Sequence, residues 1–466
     1  MKNRLAATLP FNLIIAMAAA PLLAAPSPHD RVYSADQNSN TISVIDPSTN
    51  NLLGQIRLGN PRPDILSPLY KGEINVHGLG FSPDHKTLIA VSNGSNSVAF
   101  IDTASNKVKA ISYIGRSPHE GFFSNDGKEV WVTVRGADYI SVIDAKTYQE
   151  TRRIQTAPGP GMLLFHPDGK RAFVVHSFTP EVAVIDVASH KVIKRITVTS
   201  PFSPFLQLTP DGKELWMTHK DVGKVTRIDL DNLSVKEIFE SGFISNHIAF
   251  AETDHGTLAY VTVGGENLVK VFNTESPPQL ITSLKVGALP HGIWTSDDSS
   301  RIYVGLENGD AVEVINTANN RIIARVPVGQ SPQALVYLSN AVPSGDGRTD
   351  LQPLSNSEPY NISLKAMSGE GRGFVVSRNL GLVDSLDVAL FKLKPETVYS
   401  LYLAGQSSPI ASFKTNLAGA ANGNAIGPLR ELVNSSSNRE VIPATLLVKE
   451  GTNPQSDNKA VLSSTF

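Results

Sequence analysis

His77, His119, His247 and His291 are four of the eleven histidines in the chain, and each opens a short apolar run that ends in a turn. Imidazole is the commonest nitrogen ligand for zinc, copper and iron, and it titrates near neutral pH. Four imidazoles at one place in a repeating unit therefore point to a bound metal (Cu, Zn or Fe), a bound ligand or acid–base chemistry. The same place holds Gln333, Gly161 and Pro204 in the remaining units. A second set, Asp36, Arg135, His176, His219, Lys220 and Glu307, closes the run that follows and, with Gln333, is expected to line the site for a small ligand. The competing structural reading is that in Pro290-His291-Gly292 the imidazole donates to a carbonyl of the neighbouring unit. Neither an H-E-x-x-H spacing nor a G-x-S-x-G elbow is present, so no catalytic residue is assigned.

What must position these residues is a strand repeat. Asp46, Asp102, Asp144, Asp186, Asp229, Asn273 and Asn316 each close an apolar run such as Ser-Val-Ile-Asp, and from Asp102 onward they return every 42 to 44 residues. Between them, Asp-Gly and Asn-Gly turns separate runs of five to seven apolar residues, which reads as four hairpin-connected strands, a to d. A repeat of this length with four strands is a β-propeller blade. Seven blades are expected. The first begins at strand b (Arg31 to Ala35), while Ser331 to Tyr337 is a strand a with nothing after it, so the last strand should complete the first blade and remove the open edges. In such a meander the start of the innermost strand a and the b–c turn share one rim, which places the histidines in a crescent at the channel mouth. Gly59 to His77 is fourteen residues longer than its counterpart Gly115 to His119 and, with Asp64, Tyr70, Lys71 and Glu73, reads as a lid. The repeated aspartates are expected to cap the c–d turns.

Tyr260-Val261-Thr262-Val263, Trp131-Val132-Thr133-Val134 and the turns Ser82-Pro83-Asp84 and Thr209-Pro210-Asp211-Gly212 carry a likeness. Over residues 31 to 338 the chain resembles the YVTN family of bacterial propeller repeats. The resemblance implies a seven-bladed propeller. Related propellers host lactonases, haem enzymes and copper enzymes whose histidine ligands lie near the channel. It therefore implies two enzymatic alternatives to a binding role: a metal-dependent oxidoreductase of the copper or haem type, or a lactone hydrolase in which a histidine is the base and Arg135 polarises the carbonyl. Fold alone does not choose among them.

A formal net charge of −2 with 18% charged residues gives no field that would attract nucleic acid. Lys2 and Arg4 precede an apolar stretch from Phe11 to Leu23 and small residues at Ala24 and Ala25, the layout of a signal peptide over residues 1–25, so the mature chain is expected in the periplasm or secreted, with no membrane span. With no cysteine there is no disulfide framework, covalently attached haem, lipidated cysteine or thiolate metal site. The expected division is a propeller over 26–339, a turn-rich linker over 340–358, a small β-sandwich-like domain over 359–450 and a frayed tail over 451–466. The whole reads as an all-β, monomeric, exported binding or scaffold protein, whose partner is a metal, a small ligand or a periplasmic protein.

Overall fold

The computed structural model describes residues 25–58, 74–354, 359–379, 384–427, 445–452 and 459–464. The signal-peptide stretch 1–24 and the proposed lid over 59–73 lie outside them. Seven four-stranded antiparallel sheets form the blades. Blade 1 runs Pro332–Leu338, Arg31–Asp36, Thr41–Asp46, Asn51–Arg57, with Arg31 opposite Leu338 and Val32 opposite Tyr337, so the last strand of the propeller closes the first blade as the truncated first repeat requires. Strands a of the other blades are Val76–Phe81, Pro118–Phe123, Pro160–Phe165, Phe205–Leu208, Ser245–Thr253 and Pro290–Thr295.

The strand chemistry follows the radial position. Strands b, such as Glu129–Val134, are buried on both faces, which explains their continuous apolar runs. Outermost strands, such as Leu280–Lys285, are exposed at most positions because one face meets water. The repeated aspartates cap the c–d turns: Asp144 Oδ1 accepts the backbone N–H groups of Lys146 and Thr147, and Asp102, Asp186 and Asp229 act likewise. The motif threonines join blades. The Thr133 hydroxyl donates to the Gly161 carbonyl of blade 4 at 2.8 Å and Thr262 to the His291 carbonyl of blade 7 at 2.7 Å.

The C-terminal unit is one eight-stranded sheet in the order Ala411–Lys414, Val398–Leu403, Leu446–Glu450, Ala460–Ser464, Tyr360–Ala366, Arg372–Asn379, Asp384–Phe391, Ala421–Gly427. Its two edges meet: a Cβ on Gly423 would lie 2.4 Å from the Phe413 ring. The sheet thus curls into a nearly closed barrel around Leu364, Val375, Leu401, Val448 and Leu462. Two expectations need correction. Ala460–Ser464 does not fray; it pairs with both Leu446–Glu450 and Tyr360–Ala366, because Leu462 enters the barrel core and Ser464 Oγ accepts the Leu446 N–H. Nor is the described part of the linker loose. Ala341 and Val342 are buried, Asn106 Nδ2 donates to the carbonyls of Gly347 and Thr349, and Gln352 bridges to Gln55.

The barrel sits on the rim that holds the histidines. Ile244 and Leu289, from the loops entering blades 6 and 7, pack with Phe391, and Asn361 Nδ2 donates to the Asn308 carbonyl at 2.6 Å. Arg378, almost fully buried, donates to the Glu307 carbonyl and pairs with Asp310 at 3.2 Å and Asp387 at 3.1 Å. No helix among the described residues is long and apolar enough to cross a membrane.

Candidate functional site at the channel mouth

Strand a begins with a bulge in every blade except blade 5, where Phe205–Leu208 pairs in unbroken register, and this aims the site residues. In blade 3, Pro118 pairs with Val134 and the next partner of the ladder is Gly121 with Val132, so three steps on one strand face two on the other at His119 and Glu120. The same shift recurs at His77, His247 and His291. The Thr133 hydroxyl accepts the freed Glu120 N–H, and Thr262 accepts that of His247. The bulge breaks the strict alternation of a strand, so neighbouring side chains at 119 and 120 share one region.

The four imidazoles form a contiguous crescent. His119 and His77 lie 4.2 Å apart between ring centroids, His77 and His291 6.4 Å, His291 and His247 4.8 Å, and His247 stacks on Phe205 at 3.8 Å. His119 Nδ1 meets the Gly161 carbonyl at 2.8 Å and His291 Nδ1 the Gln333 carbonyl at 2.9 Å. A carbonyl only accepts, so Nδ1 carries the proton and Nε2 keeps its lone pair. His77 Nδ1 donates in the same way to Gln37 Oε1 at 2.9 Å. The structural role foreseen for these histidines is thus met by one ring nitrogen and leaves the other available. Burial holds all four pKa values below the ordinary imidazole range, that of His291 at about 3, and the charges of Lys220 and Arg135 push in the same direction. The crescent is uncharged at neutral pH.

The second set divides according to its place on strand b. Asp36, His176 and His219 are the last residues of their strands and are turned into the blades. Asp36 accepts hydrogen bonds from the hydroxyls of Ser34, Thr41 and Ser43, and burial raises its pKa to about 7. His176 Nδ1 donates to the Glu181 carbonyl. His219 is held between Ser203 and Thr226. Arg135, Lys220 and Glu307 come one residue after the strand and face the mouth. Burial lowers the Arg135 pKa to about 10, and lowers that of Lys220 against the pull of Glu307. Neither cation has a carboxylate within ion-pair distance among the described residues. Lys220, Glu307, Gln333 and Gln37 line a cavity of about 300 Å³ that the barrel residues Asp387 and Asn422 roof.

Glu120 is the functional candidate absent from the sequence reading. Its carboxyl is buried, burial pushes its pKa up to about 8, and the Leu79 N–H is its backbone partner. It tucks against Gly78, where a Cβ would lie 2.5 Å from Oε2. One donor atom each from His77, His119 and Glu120 lie within 4.8 Å of one another. Its place directly after His119, with a glycine facing it from the next blade, was the available signal.

Residues 71–213, which hold blades 2 to 4, match the YncE-like β-propeller family. The chain is a seven-bladed propeller, and its blades 2 to 4 are similar to that family. Among solved structures, one titled Kuenenia stuttgartiensis hydrazine synthase is 20% identical, with a TM-score of 0.51, covering 56% of this chain and 89% of that one. A functionally unknown protein from Desulfotomaculum acetoxidans DSM 771 is 13% identical (TM-score 0.56; 66% and 98% covered). The periplasmic gluconolactonase PpgL of Pseudomonas aeruginosa is 16% identical (TM-score 0.53; 66% and 99% covered). At these identities the likeness is one of fold. A comparison with curated proteins finds no match.

Proposed function

We propose that this propeller is an exported binding protein whose channel mouth, roofed by the barrel, holds a small molecule rich in hydroxyl or N–H donors. The observation that carries this is the tautomer pattern: His77, His119 and His291 each direct Nδ1–H to an oxygen, so three Nε2 acceptors remain for a ligand. Gln333, Lys220 and Glu307 border the adjoining 300 Å³ cavity, a size within the range of small-molecule sites. A binding role is favoured over catalysis because, among the described residues, the mouth shows no nucleophile paired with a base. Ser203 does contact His219, but both are fully buried and out of a substrate's reach.

The test is a titration of the full chain with gluconate, and separately with sorbitol, followed through the imidazole C–H signals of the four histidines by NMR. Concerted shifts of the crescent signals that vanish in His291→Ala support the reading. Absence of any shift with either polyol, at concentrations where small ligands normally saturate, counts against it.

One observation favours a second reading. The His77, His119 and Glu120 donors lie close enough for a copper, zinc or iron ion, and the carbonyls that orient Nδ1 are the outer partners such ligands use. A metal held there would supply a Lewis-acid or redox centre. The charge of Arg135, felt by both imidazoles, weighs against a dication. Elemental analysis of protein prepared without chelator separates the two. Near-stoichiometric metal that is lost in His119→Ala supports the second reading, and metal-free protein removes it.

A further inference from the structure

A second cavity, of about 250 Å³, lies beside the first where the rim of blade 5 meets the barrel. Phe202, Phe243 and Ile244 come from the propeller, Leu390 and Phe391 from the barrel, and Lys220 and Lys414 supply positive charge. More cations stand behind this wall. The Arg135 guanidinium lies 5.7 Å from the Phe202 centroid, and Lys392 and Arg372 lie 4.6 Å and 5.7 Å from that of Phe243. Asp221 is the acidic residue that lines the cavity; it already accepts the Ser200 hydroxyl at 2.6 Å, and burial raises its pKa. Lys392 is paired with Glu370 at 2.7 Å, whereas Lys220, Lys414 and Arg135 have no carboxylate within ion-pair distance among the described residues, so the chamber couples an aromatic wall to excess positive charge.

We infer that this cavity binds a small aromatic carboxylate, with the ring among Phe202, Phe243 and Phe391 and the carboxylate at Lys220. Size fits, since a cavity of about 150 Å³ accommodates benzene and this one leaves room for the acid group and its stem. A cationic ligand is disfavoured because Arg135, Arg372 and Lys392 already occupy the ring faces. A neutral apolar ligand would give the half-buried Lys220 ammonium, which feels Glu307 from a distance, no charged partner and would take water from it. None of the crescent histidines lines either cavity, and Lys220 borders both. A ligand here also touches both units, so it ties the barrel to the propeller.

Calorimetric titration of the full chain with phenylacetate and with its neutral isostere phenylacetamide tests this. Phenylacetate should bind at least roughly tenfold more tightly, equivalent to about 1.4 kcal/mol, and its affinity alone should fall as salt is raised. Lys220→Met should abolish the preference, Phe243→Ala should weaken both compounds, and His119→Ala should change neither, which separates this chamber from the crescent. Equal affinity for the two compounds, no phenylacetate binding in the wild type, or a preference that survives Lys220→Met would overturn the assignment. Should Lys220→Met fail to fold, the salt dependence of the wild type decides alone.

Discussion

Arg378→Met should loosen the roof over the site, and its effect should depend on pH in a defined sense. Arg378 is 1% exposed and Asp310 5%. Removing the guanidinium strands a buried carboxylate whose remaining donor is the Ser331 N–H at 3.0 Å. Breaking a buried pair from one side costs about 3–5 kcal/mol. Asp387, at 41% exposure, adds no more than about 1 kcal/mol because water screens it. Burial already raises the Asp310 pKa, with Arg378 pulling it back down. A carboxyl with a raised folded pKa holds its proton more tightly folded than unfolded. Its contribution is complete below the unfolded value and is lost as pH rises through the folded one. Without Arg378 that folded value climbs further, so the defect should be near its full size at about pH 7.5 and shrink to roughly 1–2 kcal/mol at about pH 4.5. Other titrating groups, Asp36 among them, cancel in the difference between variant and wild type. Hydrogen exchange over Asp384–Phe391 reads the docked face, while fluorescence of Trp131, Trp216 and Trp294 reads the propeller. Asp310→Asn in the same chain should restore most of the loss. A defect of equal size at both pH values, or none, would refute the reasoning.

Two further outcomes follow from the geometry. His119→Ala should cost only about 1 kcal/mol in urea unfolding, because the Thr133 hydroxyl still donates to the Gly161 carbonyl; a loss several times larger would make the crescent a structural device first. Gly78→Ala should destabilise by about 1–3 kcal/mol, since a Cβ there would lie 2.3 Å from the His119 carbonyl oxygen and 2.5 Å from the Glu120 carboxylate, and the carbonyl belongs to a neighbouring strand that cannot swing away. An unchanged melting temperature would show that the seam between blades 2 and 3 is looser than described.

The repeat could be read from sequence because its punctuation is local. Aspartates such as Asp144 cap turns within three residues, and the truncated first blade leaves an unpaired strand that has one place to go. The histidine column was legible only in part: His77, His119 and His291 each directly follow the first ladder pair of strand a, whereas His247 comes one residue later, at the place Glu120 holds in blade 3. Glu120 was not, because alternation assigns adjacent residues to opposite faces, and only the bulge at His119 sets that rule aside. Asp36, His176 and His219 were grouped with Arg135, Lys220 and Glu307, although one residue of difference at a strand end turns a side chain into the blade. The roof was invisible for another reason. Arg378 and Phe391 read as ordinary strand positions until a surface far away in sequence covers them. Ala460–Ser464 was hidden in the same way, since one of its partners, Tyr360–Ala366, lies about a hundred residues earlier.

The central claim is that the roofed mouth with its crescent of imidazoles is a binding site. The most direct test is native mass spectrometry of full-length protein purified from its own host without chelator or denaturant, alongside His119→Ala and His291→Ala. A small molecule carried by the wild type and absent from both variants, with all three equally folded, is the expected result. Wild type and variants with identical masses after correction for the substitutions, and no gain of mass when incubated with host extract, would contradict it.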